Sequence, residues 1–186
     1  MRLSALGDAT HVLPLVHTLR RGFQQASLTW VIGKSERRLL EGLTEVDFVE
    51  YDKKTGFGGM RAVGRELRQR TPARFDALLQ MQIAARANLL SAFIPARRRI
   101  GYDRSRSKDG HGLFINERIP DRRGIHVLDA IGSFCEPLGL RQTEVRWDLP
   151  VPEEARAWAG AQWEADGART LMISPCSSSD ATLGAA

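Results

Sequence analysis

The stretch Met1-Arg2-Leu3-Ser4-Ala5-Leu6-Gly7-Asp8-Ala9-Thr10-His11-Val12-Leu13-Pro14 decides the fold. It joins a short apolar start to a polar loop and then to a helical pattern. Val12, Leu15, Val16, Leu19 and Phe23 recur at helical spacing and predict one helix over 8–24 with a single apolar face. Pro14 is tolerable there in a first turn or as a kink, and costly deeper in. A strand feeding a loop and a helix opens a βα unit. In a doubly wound sheet the first such strand sits near the middle, and only Met1 to Leu3 could supply it here. Without that strand, its two neighbours would hold unpaired backbone groups, each costly when buried.

Working outward, strand and helix signals alternate. Strands are expected over 27–32, 48–51, 75–81 and 99–102. Helices are expected over 35–43, 60–70, 84–93 and 126–138, with Pro72 and Pro95 as stops. Basic, Gly-rich residues 53–59 and polar residues 103–112 read as loops. Strands separated by helices imply βαβ units and a parallel sheet with right-handed crossovers. Three parts are expected: an α/β, Rossmann-like domain over 1–147, a linker and helix over 148–168, and the start of a second α/β unit over 169–186, opened by a strand at 170–174. One strand and a tail cannot build a second core, so the chain is expected to be clipped at both ends.

Composition narrows the function classes. The 186 residues are 42% hydrophobic and 26% charged, ordinary for a globular domain. The longest apolar runs are too short to span a bilayer, and the N-terminus has no signal-peptide pattern. Cys135 and Cys176 match no zinc or redox spacing, and a reducing, cytoplasmic setting is expected. The net charge of +5 favours anionic partners. Nucleic acid is not expected, because single aromatics such as Tyr102 form no stacking series. No metal ligand cluster, G-x-G-x-x-G or P-loop spacing is present, so neither metal nor cofactor is expected.

Several residues carry two readings each. Asp8 is either a general base toward a hydroxyl or a helix cap worth roughly 1 kcal/mol. Gly7 permits either a close approach to a ligand or a plain tight turn. Ser4 can bond a sugar or phosphate oxygen, or satisfy its own loop. His11, one turn after Asp8, either faces the same cleft or packs. Arg97, Arg98, Arg99, Arg104, Arg106 and Lys108 form a basic segment, diluted by Asp103 and Asp109. With Lys53 and Lys54 it is either a receptor for carboxylates and phosphates or a solvated surface. Loops at the carboxyl ends of parallel strands share one sheet edge.

The segment from Arg2 to Pro14 resembles the first loop and helix of glycosyltransferase family 9, the ADP-heptose:lipopolysaccharide heptosyltransferases. The signature there is a Ser and a small residue before Leu-Gly-Asp, then a His and a Leu-Pro, and each element is present. Arg99-Ile100-Gly101-Tyr102-Asp103, followed by Arg104, Arg106, Lys108 and Asp109, and Ile173-Ser174-Pro175-Cys176-Ser177-Ser178 are weaker matches. After Ser178 the chain departs from the family pattern, which would continue into a whole donor-binding domain.

The resemblance implies the N-terminal domain of a two-domain GT-B enzyme with its second domain truncated. It implies inverting transfer of heptose from ADP-L-glycero-D-manno-heptose to Kdo-lipid A, with Asp8 as general base. Acceptor contacts are expected from Ser4, Gly7, His11, Lys53, Lys54, Arg104, Arg106 and Lys108. A monomer at the cytoplasmic face of the inner membrane is expected. Two rivals stand beside this reading: a non-catalytic fragment that at most binds the anionic acceptor, and another two-domain sugar-nucleotide enzyme such as an epimerase, since fold alone does not decide function.

Overall fold

The structure, a computed structural model, describes residues 1–162 apart from Pro72 and Thr143. The expected strand at 170–174 and the Ile173–Ser178 motif lie outside the described residues. The chain divides into two units, Met1–Pro150 and Val151–Ala186. In the second unit the described element is helix α7 (Glu153–Gln162), whose first turn carries Glu153 and Glu154, suited to a helix N-terminus.

The first unit contains strands β1 (Thr29–Gly33), β2 (Asp47–Tyr51), β3 (Phe75–Leu79), β4 (Ala96–Gly101) and β5 (Glu117–Arg118). Pairs β1·β2, β3·β4 and β4·β5 are all parallel. Met1 to Leu3 lies between β1 and β3 and supplies the centre of the sheet. The Met1 nitrogen donates to the Leu79 carbonyl at 2.6 Å, and the Met1 carbonyl accepts from the Met81 N–H at 3.1 Å. On the other side the Leu3 carbonyl accepts from the Gly33 N–H at 3.1 Å. The order is therefore β2-β1-(Met1–Leu3)-β3-β4-β5, the doubly wound arrangement with the N-terminal segment in the middle. Beside Met1, where β1 and β3 part, an apolar cavity of about 110 Å³ is lined by Val16, Trp30, Val31, Leu67, Phe75 and Leu78.

Both faces of the sheet are covered, and the alternation along β1 shows why. Trp30 and Ile32 enter a core with Val12, Leu15 and Val16 of the opening helices and Ile131 and Phe134 near the end of the unit. Val31 enters the opposite core with Met60, Val63 and Leu67 of α4 (Gly56–Arg70) and Leu90 of α5 (Ala85–Ser91). A period of two places neighbours on opposite faces.

Four expected boundaries are corrected. The helix predicted over 8–24 is two helices, α1 (Leu6–Thr10) and α2 (Leu13–Gly22). Pro14 explains the break: it stands in the first turn of α2, where a missing N–H costs nothing, and in one continuous helix its ring would clash with the Thr10 carbonyl. The helix expected over 35–43 is shorter, α3 (Lys34–Leu39). The loop predicted over 53–59 holds a 3-10 turn at Lys53–Thr55 and the first turn of α4. The helix predicted over 126–138 is α6 (Val127–Gly132), continued as a 3-10 segment through Leu138 that contains Pro137. The two-residue β5 is too short to leave a periodic signal.

Candidate functional site

The carboxyl ends of the strands place four loops on one sheet edge. Ser4 follows Leu3, Lys34 follows β1, Asp52–Lys54 follow β2, and Gln82–Arg86 follow β3. Together they line a cleft of about 630 Å³. Gln82 clamps its centre: its Oε1 accepts from the Leu3 N–H at 2.8 Å, and its Nε2 donates to Ser4 Oγ at 3.0 Å. Ser4 thus spends an acceptor lone pair on Gln82, and its own proton has no acceptor among the described residues. Asp52 accepts from the Lys54 N–H at 2.8 Å and holds the Lys53–Lys54 turn.

The cleft is cationic. Lys34, Arg38, Lys53, Lys54 and Arg86 line it, against Glu36 and Asp52. All five cations are exposed, and among the described residues none makes a side-chain hydrogen bond or ion pair. Such a set is chemically suited to phosphates or carboxylates. Sequence reading found Ser4, Lys53 and Lys54 but missed Lys34, Arg38, Gln82 and Arg86. A signal was available: Lys34 and Arg38 sit at i and i+4 immediately after a strand that ends in Gly33.

Asp8 does not line this cleft. It occupies the first turn of α1, where its Oδ2 accepts from the Ala5 N–H at 3.4 Å and pairs with the Arg2 guanidinium. Both contacts use one oxygen. Oδ1 has no hydrogen-bond partner among the described residues, and the side chain is 36% exposed. Arg2 is well buried and also donates to the Met81 carbonyl at 2.5 Å, so it fixes the carboxylate against the end of β3. The cap contact thus leaves one carboxylate oxygen of Asp8 without a hydrogen-bond partner among the described residues.

Gly7 is the second residue of α1, and a Cβ added there would meet nothing within 4 Å. The tight turn expected at Gly7 is absent, because the chain is already helical at Leu6. Among the described residues Nδ1 of His11 is buried without a partner, and its ring meets the His126 ring edge-on at 6.0 Å. His126 in turn caps α6, its Nδ1 accepting from the Leu128 N–H at 3.2 Å.

The basic segment expected to act as one receptor is split. Arg98 makes a bidentate pair with Glu117 at 2.9 and 2.7 Å. Arg99 donates to the carbonyls of Phe114, Ile94 and Ser91 at 2.7, 2.9 and 2.5 Å. Arg106 pairs with Asp103 at 2.5 Å and lies 5.7 Å over the Tyr102 ring. Burial acts to raise the Asp103 carboxyl, but hydrogen bonds from Ser105 and Arg106 hold it below the usual carboxylate range. Only Arg104 and Lys108 stay exposed without a side-chain partner among the described residues. None of Arg104, Arg106 and Lys108 lines the cleft that holds Lys53 and Lys54. Four strand spacings separate β2 from β4, about 19 Å at the usual spacing.

Burial raises the Tyr102 phenol, with smaller contributions from Arg2 and Arg106, which lower it, and from Asp8 and Asp103, which raise it. No group of three or more His, Cys, Asp or Glu side chains that could hold a metal ion occurs among the described residues.

Comparison with known proteins places the chain in a family. The chain is 39% identical over 178 residues to the lipopolysaccharide core heptosyltransferase OpsX of Haemophilus influenzae, an alignment covering 96% of the chain and 50% of that protein. The chain thus spans half the length of this relative. Its fold is similar to a glycosyl transferase family 9 structure from Veillonella parvula, at TM-score 0.73 and 23% identity, over 86% of the chain and 46% of that structure. It is also similar to the E. coli heptosyltransferase WaaC with ADP-2-deoxy-2-fluoro heptose, at TM-score 0.62 and 18% identity, over 80% of the chain and 51% of WaaC. The model of glycosyltransferase family 9 (heptosyltransferase) matches residues 60–182. With its doubly wound sheet, its cationic edge and that match, the chain belongs to glycosyltransferase family 9, the heptosyltransferases.

Proposed function

We propose that this chain is the acceptor-binding half of a heptosyltransferase that adds heptose to the Kdo-lipid A inner core of lipopolysaccharide. The donor is ADP-L-glycero-D-manno-heptose, and Asp8 is the general base. The observation that carries the reading is the state of Asp8: one oxygen held by Arg2 and Ala5, the other open, beside a loop whose Ser4 enters a cleft of unpaired cations. The Haemophilus relative's name supports the lipopolysaccharide core as acceptor, and the sugar nucleotide bound to WaaC supports the donor class.

In the proposed reaction an acceptor hydroxyl attacks the anomeric carbon from the face opposite ADP. The new C–O bond forms as the bond to the β-phosphate oxygen breaks, and ADP leaves with that electron pair. Asp8 Oδ1 takes the hydroxyl proton, and the anomeric configuration inverts. Lys34, Arg38, Lys53, Lys54 and Arg86 hold the acceptor's phosphates and carboxylates.

A second reading is that these residues bind the anionic acceptor without turnover, the unpaired cations of the cleft being suited to binding alone. Incubating the chain with ADP-heptose and Kdo-lipid A separates the two, alone and mixed with the separately made C-terminal half of that relative. Release of ADP together with heptosylated lipid supports the enzyme. Calorimetric binding of acceptor with no ADP release in either format supports the second reading, and no binding at all overturns both.

A further inference from the structure

Next to the cationic cleft, helices α4 and α5 present a surface that the transfer reaction does not use. On α4, Phe57, Arg61, Arg65 and Arg68 follow one another at spacings of four, four and three, so they share one face. All four are exposed, and Phe57 is 54% exposed. On α5 and just beyond it, Arg86, Leu89 and Phe93 share a face by the same rule, and Leu89 is 41% exposed. The two faces meet where the Phe57 and Phe93 rings pack edge-on at 5.2 Å, with the Arg61 guanidinium 5.7 Å from the Phe57 centroid.

The charge is one-sided. Arg61, Arg65 and Arg68 rim a hollow with Gly58 and Phe93. Among the described residues none of these three arginines has a carboxylate partner, and the only carboxylate of α4, Glu66, is engaged by Arg70 at 2.6 Å. Arg68 reaches only the Gly64 carbonyl, at 3.3 Å. The surface also runs directly into the cleft, since α4 follows Lys53 and Lys54 and Arg86 lines the cleft from α5. Exposed apolar side chains ringed by arginine suit an anionic bilayer, where rings enter the headgroup zone and guanidinium groups meet phosphates. Among the described residues no helix is long and apolar enough to cross a membrane, so contact would be peripheral.

We infer that the Phe57/Leu89/Phe93 cluster with Arg61, Arg65 and Arg68 is a membrane-docking surface that seats the chain on anionic lipid. It would bring the cleft to the headgroup of a lipid-anchored acceptor, and so this inference rests on the acceptor reading above.

Cosedimentation of the full chain with vesicles at 0.15 M salt tests it. The chain is expected to bind vesicles of equal phosphatidylglycerol and phosphatidylcholine, and to leave pure phosphatidylcholine in the supernatant. The R61Q/R65Q/R68Q variant should lose about 100-fold in partition coefficient, at roughly a tenfold or smaller loss per basic residue. The F57S/L89S variant should lose at least about tenfold, from the apolar area no longer buried. All changed positions are exposed, and an unchanged circular dichroism melt verifies folding. Equal binding to both vesicle types, or triple-variant binding at the parent level, would overturn the inference. So would a chain that ignores vesicles but retards a short RNA, which would point to nucleic acid instead. Calorimetry with a deacylated, water-soluble acceptor reads the cleft alone: heat retained by the triple variant upholds the acceptor reading independently, and vesicle binding without acceptor heat sinks that reading while leaving the docking surface intact.

Discussion

Arg2 and Asp8 form an ion pair across the opening loop, and the same guanidinium donates to the Met81 carbonyl at 2.5 Å. The side chain that presents the carboxylate is thereby tied to the two central elements of the sheet, the N-terminal segment and the end of β3. Orientation of Asp8 is a property of the sheet edge and not of α1 alone.

Replacing Asp8 with Asn keeps an oxygen to accept from the Ala5 N–H and removes the proposed base. Heptose transfer is expected to fall by about 10²–10⁴ in kcat. The thermal midpoint should move by the worth of one partly exposed ion pair, about 1 kcal/mol or less. Arg2→Gln should lower kcat by about tenfold through misorientation, a loss the geometry of attack makes plausible, with little change in acceptor KM. Steady-state kinetics beside a melt checks both, and an Asp8→Asn enzyme at the parent rate would remove Asp8 from catalysis.

His111 is an obligatory neutral histidine. Its Nδ1–H donates to Asn88 Oδ1 at 2.8 Å, and its Nε2 accepts from the Tyr102 N–H at 3.1 Å. Burial, with help from Arg118, lowers its pKa from 6.5 to about 4. Unfolding releases a ring that protonates more readily, so protons favour the unfolded chain. The stabilisation is complete above pH 6.5 and is lost as pH falls from there toward 4. Thermal midpoints from pH 7.5 to 4.5 should decline in the parent. In His111→Gln they should start lower at pH 7.5 and be flatter over that window.

Gly33 is required by close approach. A Cβ there would lie 2.3 Å from the Leu3 carbonyl oxygen, the acceptor of Gly33's own N–H. Neither backbone can retreat without breaking the central pairing. Gly33→Ala is expected to destabilise by about 3 kcal/mol, the upper range for overpacking. Gly7→Ala, with open space around it, should be neutral or slightly stabilising. Urea unfolding of the two variants side by side checks the contrast.

The basic residues of the chain should divide into three groups. Single Gln replacements at Lys34, Arg38, Lys53, Lys54 or Arg86 should weaken a phosphorylated acceptor severalfold each, more so at low salt, with unchanged melts. Arg99→Met should instead remove the guanidinium donors to the Phe114, Ile94 and Ser91 carbonyls and cost about 2–3 kcal/mol of stability. Arg104→Gln should change neither stability nor cleft affinity. Calorimetry and melts on the set distinguish recognition from scaffolding.

The parallel doubly wound sheet, the central place of Met1–Leu3 and the family motif were legible in the sequence because each rests on local signals. Apolar alternation marks strands, helical spacing marks faces, and the polar turn at Ser4 follows an apolar start whatever the tertiary contacts are. Asp8 was legible as cap or base for the same reason; the structure shows the cap contact on Oδ2 and leaves Oδ1 without a partner among the described residues, and the base role is the proposal made above. Lys53 and Lys54 were visible as a basic loop after β2.

What remained hidden depends on distance across the sheet. Arg98, Arg99 and Arg106 look like a receptor when read beside Arg104 and Lys108, yet Glu117, the carbonyls of Ser91, Ile94 and Phe114, and Asp103 claim them. Lys34, Arg38, Gln82 and Arg86 lie far apart in the chain and meet only because three parallel strands end at one edge. The sequence by itself determined which segments become strands and helices, since that choice follows from periodicity within a few residues. Tertiary structure alone decided which charges are spent inside the protein and which face solvent, because a guanidinium pairs with whatever acceptor the fold brings within about 3 Å.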